Sequence, residues 1–281
     1  MLLRIPDSFF TSKKKQIFND HLMIYNLTIR SRVLARKVKV DIYLPTEYDK
    51  REKMHYPTLL LNDGQDAEML KLQKTLTHSY KSGDEKMIVV AVRANENRLW
   101  EYGTAGIPDY EGRGDRALSY SEFIRRLVNY LRNRYHFFTD QSYSSIAGFS
   151  LGGLSALDIA WNYDNIFSKV GVFSGSFWWR SKAFEEQNPD ADRIMHHIIE
   201  HSQRERNLQF WFEAGTKDET SDRNNNGIID AIDDTLDLIK SLKAKGYSDN
   251  DIRYIQIEGG EHNFNTWSEV FPEFLEWCIR N

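Results

Sequence analysis

The chain has 281 residues, 41% apolar and 28% charged, with one cysteine and a formal net charge of −4, enough chain to bury a large core. The lone Cys278 excludes an internal disulfide framework, and 37 Lys+Arg against 41 Asp+Glu leave no electrostatic footprint for a nucleic-acid partner. No apolar run approaches a membrane span, and Arg4, Pro6 and Asp7 interrupt the N-terminal MLLRIPDSFF before a signal-peptide core develops, so the expectation is a soluble, cytoplasmic protein without a membrane partner.

No repeat, low-complexity stretch or Pro/Gly-rich linker divides the chain, which reads as one domain over 1–281. Met23–Arg30 and Lys37–Leu44 alternate apolar and polar residues, as antiparallel strands with one wet face do. Short continuous apolar runs then follow at Thr58–Leu61, Met87–Val92, Tyr143–Ala147, Val170–Phe173, Leu208–Phe212 and Tyr254–Ile257. Such runs suit strands buried on both faces, as in a parallel sheet covered by helices. Between them the spacing predicts helices over Ser119–Arg134, with Ser121 as a cap, and over Leu151–Trp161, Ile232–Lys245 and Trp267–Ile279. The fold class expected is α/β: a three-layer sandwich, mostly parallel, with antiparallel N-terminal strands.

Gly148-Phe149-Ser150-Leu151-Gly152 places G-x-S-x-G between a predicted strand and a predicted helix, the context of a nucleophile elbow. The flanking glycines leave room for a sharp turn that lifts the Ser150 hydroxyl to a helix N-terminus, where N–H groups favour developing negative charge. The plainer alternative is a serine in an ordinary Gly-rich turn, because so short a motif also arises by chance. No G-x-G-x-x-G and no Walker-type G-K-[ST] competes for the segment.

An elbow serine requires an acid and then a histidine further along the chain. His262, in GGEHNF after the last predicted strand, is the base; the other seven histidines read as surface residues. Among them His196, His197 and His201 share one charged, helix-like segment. Asp218, where Gly215 is expected to break the preceding strand, is the first candidate for the acid, with Glu219 second. The oxyanion donors are assigned to the N–H groups of Leu151, after the nucleophile, and of Gln65, beyond a flexible Gly64 in LLLNDGQD.

LLLNDGQDA (59–67), NRLWEY (97–102), GFSLGG (148–153), VFSGSFWW (172–179), EAGTKDE (213–219) and GGEHNFNTW (259–267) together resemble the putative-esterase family of α/β-hydrolases. That family includes enterochelin, feruloyl and acetyl-xylan esterases, S-formylglutathione hydrolase and mycolyltransferases. The likeness runs from about Val38 to the C-terminus, and SGSFWW brings it nearest the enterochelin-esterase-like group. It implies a serine carboxylesterase whose triad matches Ser150, Asp218 and His262, with Gln65 at the second oxyanion amide. Large siderophore esterases carry a separate N-terminal domain that this chain is too short to hold.

After the acid comes Asp222-Arg223-Asn224-Asn225-Asn226-Gly227-Ile228-Ile229-Asp230-Ala231-Ile232-Asp233. Oxygen donors fall at the first, third, fifth, ninth and twelfth places, Gly227 at the sixth, and the Ile228 carbonyl at the seventh: an EF-hand-type calcium pattern with Asp233 in place of the usual Glu. The alternative is an Asn/Asp-rich turn capping the next helix. The favoured reading is a structural Ca²⁺ that braces the loop carrying Asp218, with no cofactor needed for catalysis.

Phe177, Trp178 and Trp179 are candidates for a substrate wall, or for core packing. Arg98 and Glu101 are candidates for orienting a polar substrate, or for pairing with each other, and 103–115 reads as a loop at the mouth of the site. The partner expected is a small-molecule ester: an acyl-sugar, phenolic or siderophore-like compound. An acyltransferase of the same fold and a non-catalytic, calcium-dependent glycan-binding module are the competing readings.

Overall fold

The computed structural model describes residues 10–48, 56–82, 86–135, 137–138, 140–203 and 206–280. The stretch 1–9 examined above for a signal peptide, together with His55 and His136, lies outside them. Strands β1 (Phe10–Ile17), β2 (Leu22–Ser31) and β3 (Arg36–Pro45) form an antiparallel meander. The alternating segments are β2 and β3. β1 carries Lys13, Lys14 and Lys15 and shows no apolar rhythm; it is an edge strand held by pairing, and such lysines discourage further strands from adding there.

The buried runs become β4 (Thr58–Leu61), β5 (Ile88–Val92), β6 (Ser144–Phe149), β7 (Lys169–Phe173), β8 (Gln209–Lys217) and β9 (Ile252–Glu261). Among the described residues one sheet contains all nine strands, in the order β1-β2-β3-β5-β4-β6-β7-β8-β9. β3 meets β5 antiparallel, and every pair from β5 across to β9 is parallel. Because side chains alternate across a strand, the sheet feeds two cores. Leu60, Val90, Ile146, Val172 and Phe212 enter one, with residues of α3 (Ala117–Tyr135), α4 (Leu151–Asn162), α5 (Ile194–His201) and α6 (Asp230–Ala244). Leu61, Ala91, Ala147, Phe173 and Trp211 enter the other, with α1 (Leu72–Ser82) and α7 (Phe264–Ile279). The protein is thus an α/β three-layer sandwich. A short α2 (Arg98–Glu101) leads into the 103–116 segment.

Three local expectations are corrected, the first being the surface placement of His196, which is buried on α5 with its Nε2 bonded to the Asp234 carbonyl at 2.9 Å. α3 starts at Ala117, so Ser121 lies buried within the helix rather than capping it. β8 does not break at Gly215 but continues to Lys217 through a register shift against β9. α1 was not read from the sequence, although Leu72, Leu76 and Tyr80, its buried residues, repeat at every fourth position. Among the described residues no helix is long and apolar enough to cross a membrane.

Candidate active site

β6 ends at Phe149 and α4 begins at Leu151, so Ser150 alone makes the turn, at φ 53° and ψ −124°. That conformation strains any residue bearing a Cβ and is held by the surroundings, starting with a 2.9 Å bond from Ser150 N–H to the Phe173 carbonyl. The glycines are required by close approach. A Cβ on Gly148 would stand 2.2 Å from the Gly152 carbonyl oxygen, and one on Gly152 would stand 2.4 Å from Asp63 Oδ2. Leu151 N–H belongs to the first turn of α4, where amides have no partner within the helix.

The turn after β4 is fastened to this elbow. Asn62 donates through Nδ2 to the Gly152 carbonyl at 2.8 Å and accepts from the Tyr120 hydroxyl at 2.7 Å. Asp63 sits in the left-handed region at φ 59° with its carboxylate gripped by Arg98 through two bonds of 2.7 and 2.8 Å. Arg98 also donates to the Phe149 carbonyl at 3.3 Å, so one guanidinium spans both turns. Gly64 serves close packing rather than flexibility, since its Cβ would meet the Ala91 backbone at 2.8 Å. The Gln65 side chain is pinned, its Oε1 accepting from Ala94 N–H at 2.8 Å. Among the described residues neither Gln65 N–H nor Leu151 N–H has a partner.

His262 follows β9 directly, and Asn263 caps α7 by accepting from the N–H groups of Asn265 and Thr266 at 3.0 and 3.2 Å. The imidazole stands edge-on to Trp267, with ring centres 5.2 Å apart. Its Nδ1 lies 4.0 Å from Oδ2 of Asp218, whose side chain is fully buried. This is looser than a hydrogen bond, as catalytic pairs without substrate often are. Gly215 allows the approach: a Cβ there would stand 2.3 Å from the Gly260 carbonyl oxygen and 2.9 Å from Asp218 Oδ1.

Burial sets the electrostatics. It lowers the His262 pKa below the usual imidazole value, with Asp218 opposing and Arg98 assisting. It raises the Asp218 carboxyl, against the Ser174 hydroxyl and His262. Glu213, on β8 beside Asp218, is pushed up to about 8 by burial and by that neighbouring carboxylate, which favours its protonated form. Glu219, the second candidate acid, feels Asp230 and Asp234 rather than His262.

The proposed substrate contacts are largely redirected. Glu101 is buried and bonded to Arg36 at 2.6 Å, not to Arg98, while Arg98 is committed to Asp63. Phe177 and Trp179 are 1% exposed and belong to the core; Trp178, at 39%, remains open. Arg113, from the 103–116 segment, lies over the Trp178 ring at 5.5 Å and is itself held by buried Asp109. Sequence reasoning missed Ser174 and Ser176. Ser174 Oγ accepts from Trp267 Nε1 at 2.9 Å, and Ser176 Oγ lies 3.3 Å from Ser150 Oγ. The signal was present in the S-G-S that follows β7, but a hydroxyl's target cannot be read from spacing.

In the loop after β8, Asp222 accepts from the N–H groups of Asn226 and Gly227 at 3.1 and 2.9 Å. Asn224 and Asn226 bring their amides to Asp233 Oδ2 at 2.7 and 3.1 Å. Asp230 is turned instead to Arg223, whose N–H it accepts at 2.9 Å. Ile228 is exposed. Among the described residues no group of three or more His, Cys, Asp or Glu is placed to hold a metal. Of the six expected positions, only the side chains of Asn224, Asn226 and Asp233 meet, and Asp222 instead caps the turn through backbone N–H groups.

The strained Ser150 stands between strand and helix, and Asp218 and His262 follow β8 and β9, on an α/β fold of the hydrolase type. The profile of the family described as "Putative esterase" matches residues 31–278, and the chain belongs to that family. It is a carboxylic ester hydrolase. Its fold is similar to that of a ferulic acid esterase (17% identity, TM-score 0.69, covering 93% of this chain and 99% of that one). It is also similar to the enterobactin esterase FES of Shigella flexneri (17%, TM-score 0.66, covering 97% of this chain and 60% of that one). In sequence it is 21% identical to the uncharacterised Bacillus subtilis protein YbbA over 85% of this chain and 91% of that one.

Proposed function

We propose that the protein is a serine esterase acting through an acyl-enzyme, with Ser150 as nucleophile, His262 as base and Asp218 as the carboxylate that orients the imidazole. The observation that carries this reading is the burial of the Asp218 side chain, a carboxylate facing His262 at 4.0 Å. His262 takes the Ser150 proton as Oγ bonds to the ester carbon, and the carbonyl electron pair moves to an oxygen received by Leu151 and Gln65 N–H. The alcohol leaves with the proton from His262; water, deprotonated by the same imidazole, then releases the acid. The site draws on residues from Asn62 to His262, so the chain works as one unit.

Trp178, stacked with Arg113, supports an acyl or phenolic substrate wall, and the names of the ferulic acid and enterobactin esterases favour phenolic or siderophore-like esters over plain acyl-sugars. A panel of p-nitrophenyl acetate, a feruloyl ester and a catecholate triester tests the reading. Ser150→Ala is expected to lose turnover by more than about 10³-fold on every ester that is cleaved. Undiminished turnover in that variant contradicts it.

We also propose that the 222–233 loop takes a structural Ca²⁺. Its support is the meeting of the Asn224, Asn226 and Asp233 side chains; Asp222 would have to give up its bonds to backbone N–H groups and Asp230 its bond to Arg223. Binding requires Asn224 and Asn226 to turn their amide oxygens inward. Millimolar Ca²⁺ is expected to raise Tm over an EDTA-treated sample by several degrees, at about 2–4 °C per kcal/mol. Identical melting curves and activities contradict the proposal.

A further inference from the structure

We propose that Ser176 is a further catalytic residue: its hydroxyl donates to Ser150 Oγ, frees the Ser150 proton for His262, and stabilises charge on Oγ as the ester is attacked. The inference rests on the reading of Ser150 as nucleophile. Ser176 is buried, 4% exposed, and its Oγ stands 3.3 Å from Ser150 Oγ.

The turn that presents it is tightly fixed. Ser174, in the left-handed region at φ 45°, donates its N–H to the Glu213 carbonyl at 2.8 Å and receives Trp267 Nε1 on its hydroxyl. A Cβ on Gly175 would stand 2.6 Å from Val172 Cγ1 and 2.8 Å from the Phe177 ring, so only glycine fits between them. Ser176 N–H reaches the Ser150 carbonyl at 3.3 Å, and its own carbonyl accepts from Trp179 N–H at 3.2 Å. Backbone on both sides thus aims one hydroxyl at the nucleophile.

Two hydroxyls in contact share one hydrogen bond in either sense. If Ser150 donates, its proton is spent on Ser176 and points away from the base. If Ser176 donates, the Ser150 proton is available to His262 and a lone pair faces the carbonyl carbon. As the O–H bond breaks and the proton passes to the imidazole, Oγ gains negative charge, and a donor already aimed at it strengthens in the transition state. Ser176 keeps its own proton throughout. The same donor assists when the acyl–Oγ bond breaks and Ser150 recovers its proton from His262.

The test compares Ser176→Ala, Ser176→Thr and Ser150→Ala in the full chain, reading kcat and KM on p-nitrophenyl acetate and the second-order rate of fluorophosphonate labelling. Ser176→Ala is expected to lower kcat and the labelling rate together by roughly 10–10²-fold, below the 10²–10³-fold typical of a lost oxyanion donor, with KM nearly unchanged. Ser176→Thr, which retains the hydroxyl, is expected to recover most of that loss. Wild-type rates in Ser176→Ala, or equal losses in the Ala and Thr variants, overturn the proposal. Should Ser176→Ala fail to fold, the near-isosteric Ser176→Cys, a weak donor, replaces it with the same expected loss, and wild-type rates overturn the proposal there too. Turnover surviving in Ser150→Ala defeats the serine mechanism itself, a result distinct from either.

Discussion

In the role proposed for it, His262 acts as a base only while its imidazole is neutral, and its surroundings favour that form. Desolvation and the Arg98 guanidinium outweigh Asp218, so its pKa lies below the ordinary value of about 6.5. The acid limb of kcat/KM is therefore expected to inflect below about pH 6.5, with activity rising as pH climbs through it. Asp218→Asn removes the one influence that raises the pKa; the limb is expected to move lower still while kcat falls. A pH profile of both enzymes checks this, and an inflection above 7 in the wild type contradicts it. The proposed triad was read from chain order, and the structure sets Asp218 4.0 Å from His262, though β8 runs on through the glycine expected to end it. The roles of Arg98 and Glu101 were not legible, because the partners that engage them, Asp63 and Arg36, lie 35 and 65 positions away.

At the scale of elements, the elbow depends on two backbones approaching more closely than any side chain permits. In Gly148→Ala the new methyl would stand 2.2 Å from a carbonyl oxygen of α4, and backbone yields far less readily than the tip of a side chain. The variant is expected to lose at least the 1–3 kcal/mol usual for overpacking and most of its activity, seen as a lower denaturation midpoint. An unchanged midpoint and kcat would mean that the strand-to-helix junction is looser than drawn. Local rhythm made β2 through β9 readable, since Leu59–Leu61 or Val89–Val92 cannot lie on a wet surface. It could not reveal β1, whose three central lysines form a strand only because β2 supplies the pairing. Nor could it show that β8 outlasts Gly215, a residue whose role appears only when β9 lies beside it.

Across the whole molecule, the parallel half of the sheet brings distant segments to one edge. The Asn62–Gln65 turn follows β4, Ser150 follows β6, the Ser174–Ser176 turn follows β7, Asp218 follows β8 and His262 follows β9. The order of these pieces was legible because each sits just beyond a buried run. Their mutual ties, such as Asn62 to Gly152 across 90 positions, were not. In the proposed reading this edge forms one covalent machine with Ser150 at its focus. Treating the intact chain with a fluorophosphonate and locating the adduct by peptide mass spectrometry is the decisive measurement. A single adduct on Ser150, with its formation slowed in His262→Gln and turnover lost in proportion to labelling, is the expected result. Turnover that persists after full treatment, or an adduct on another residue, would contradict it.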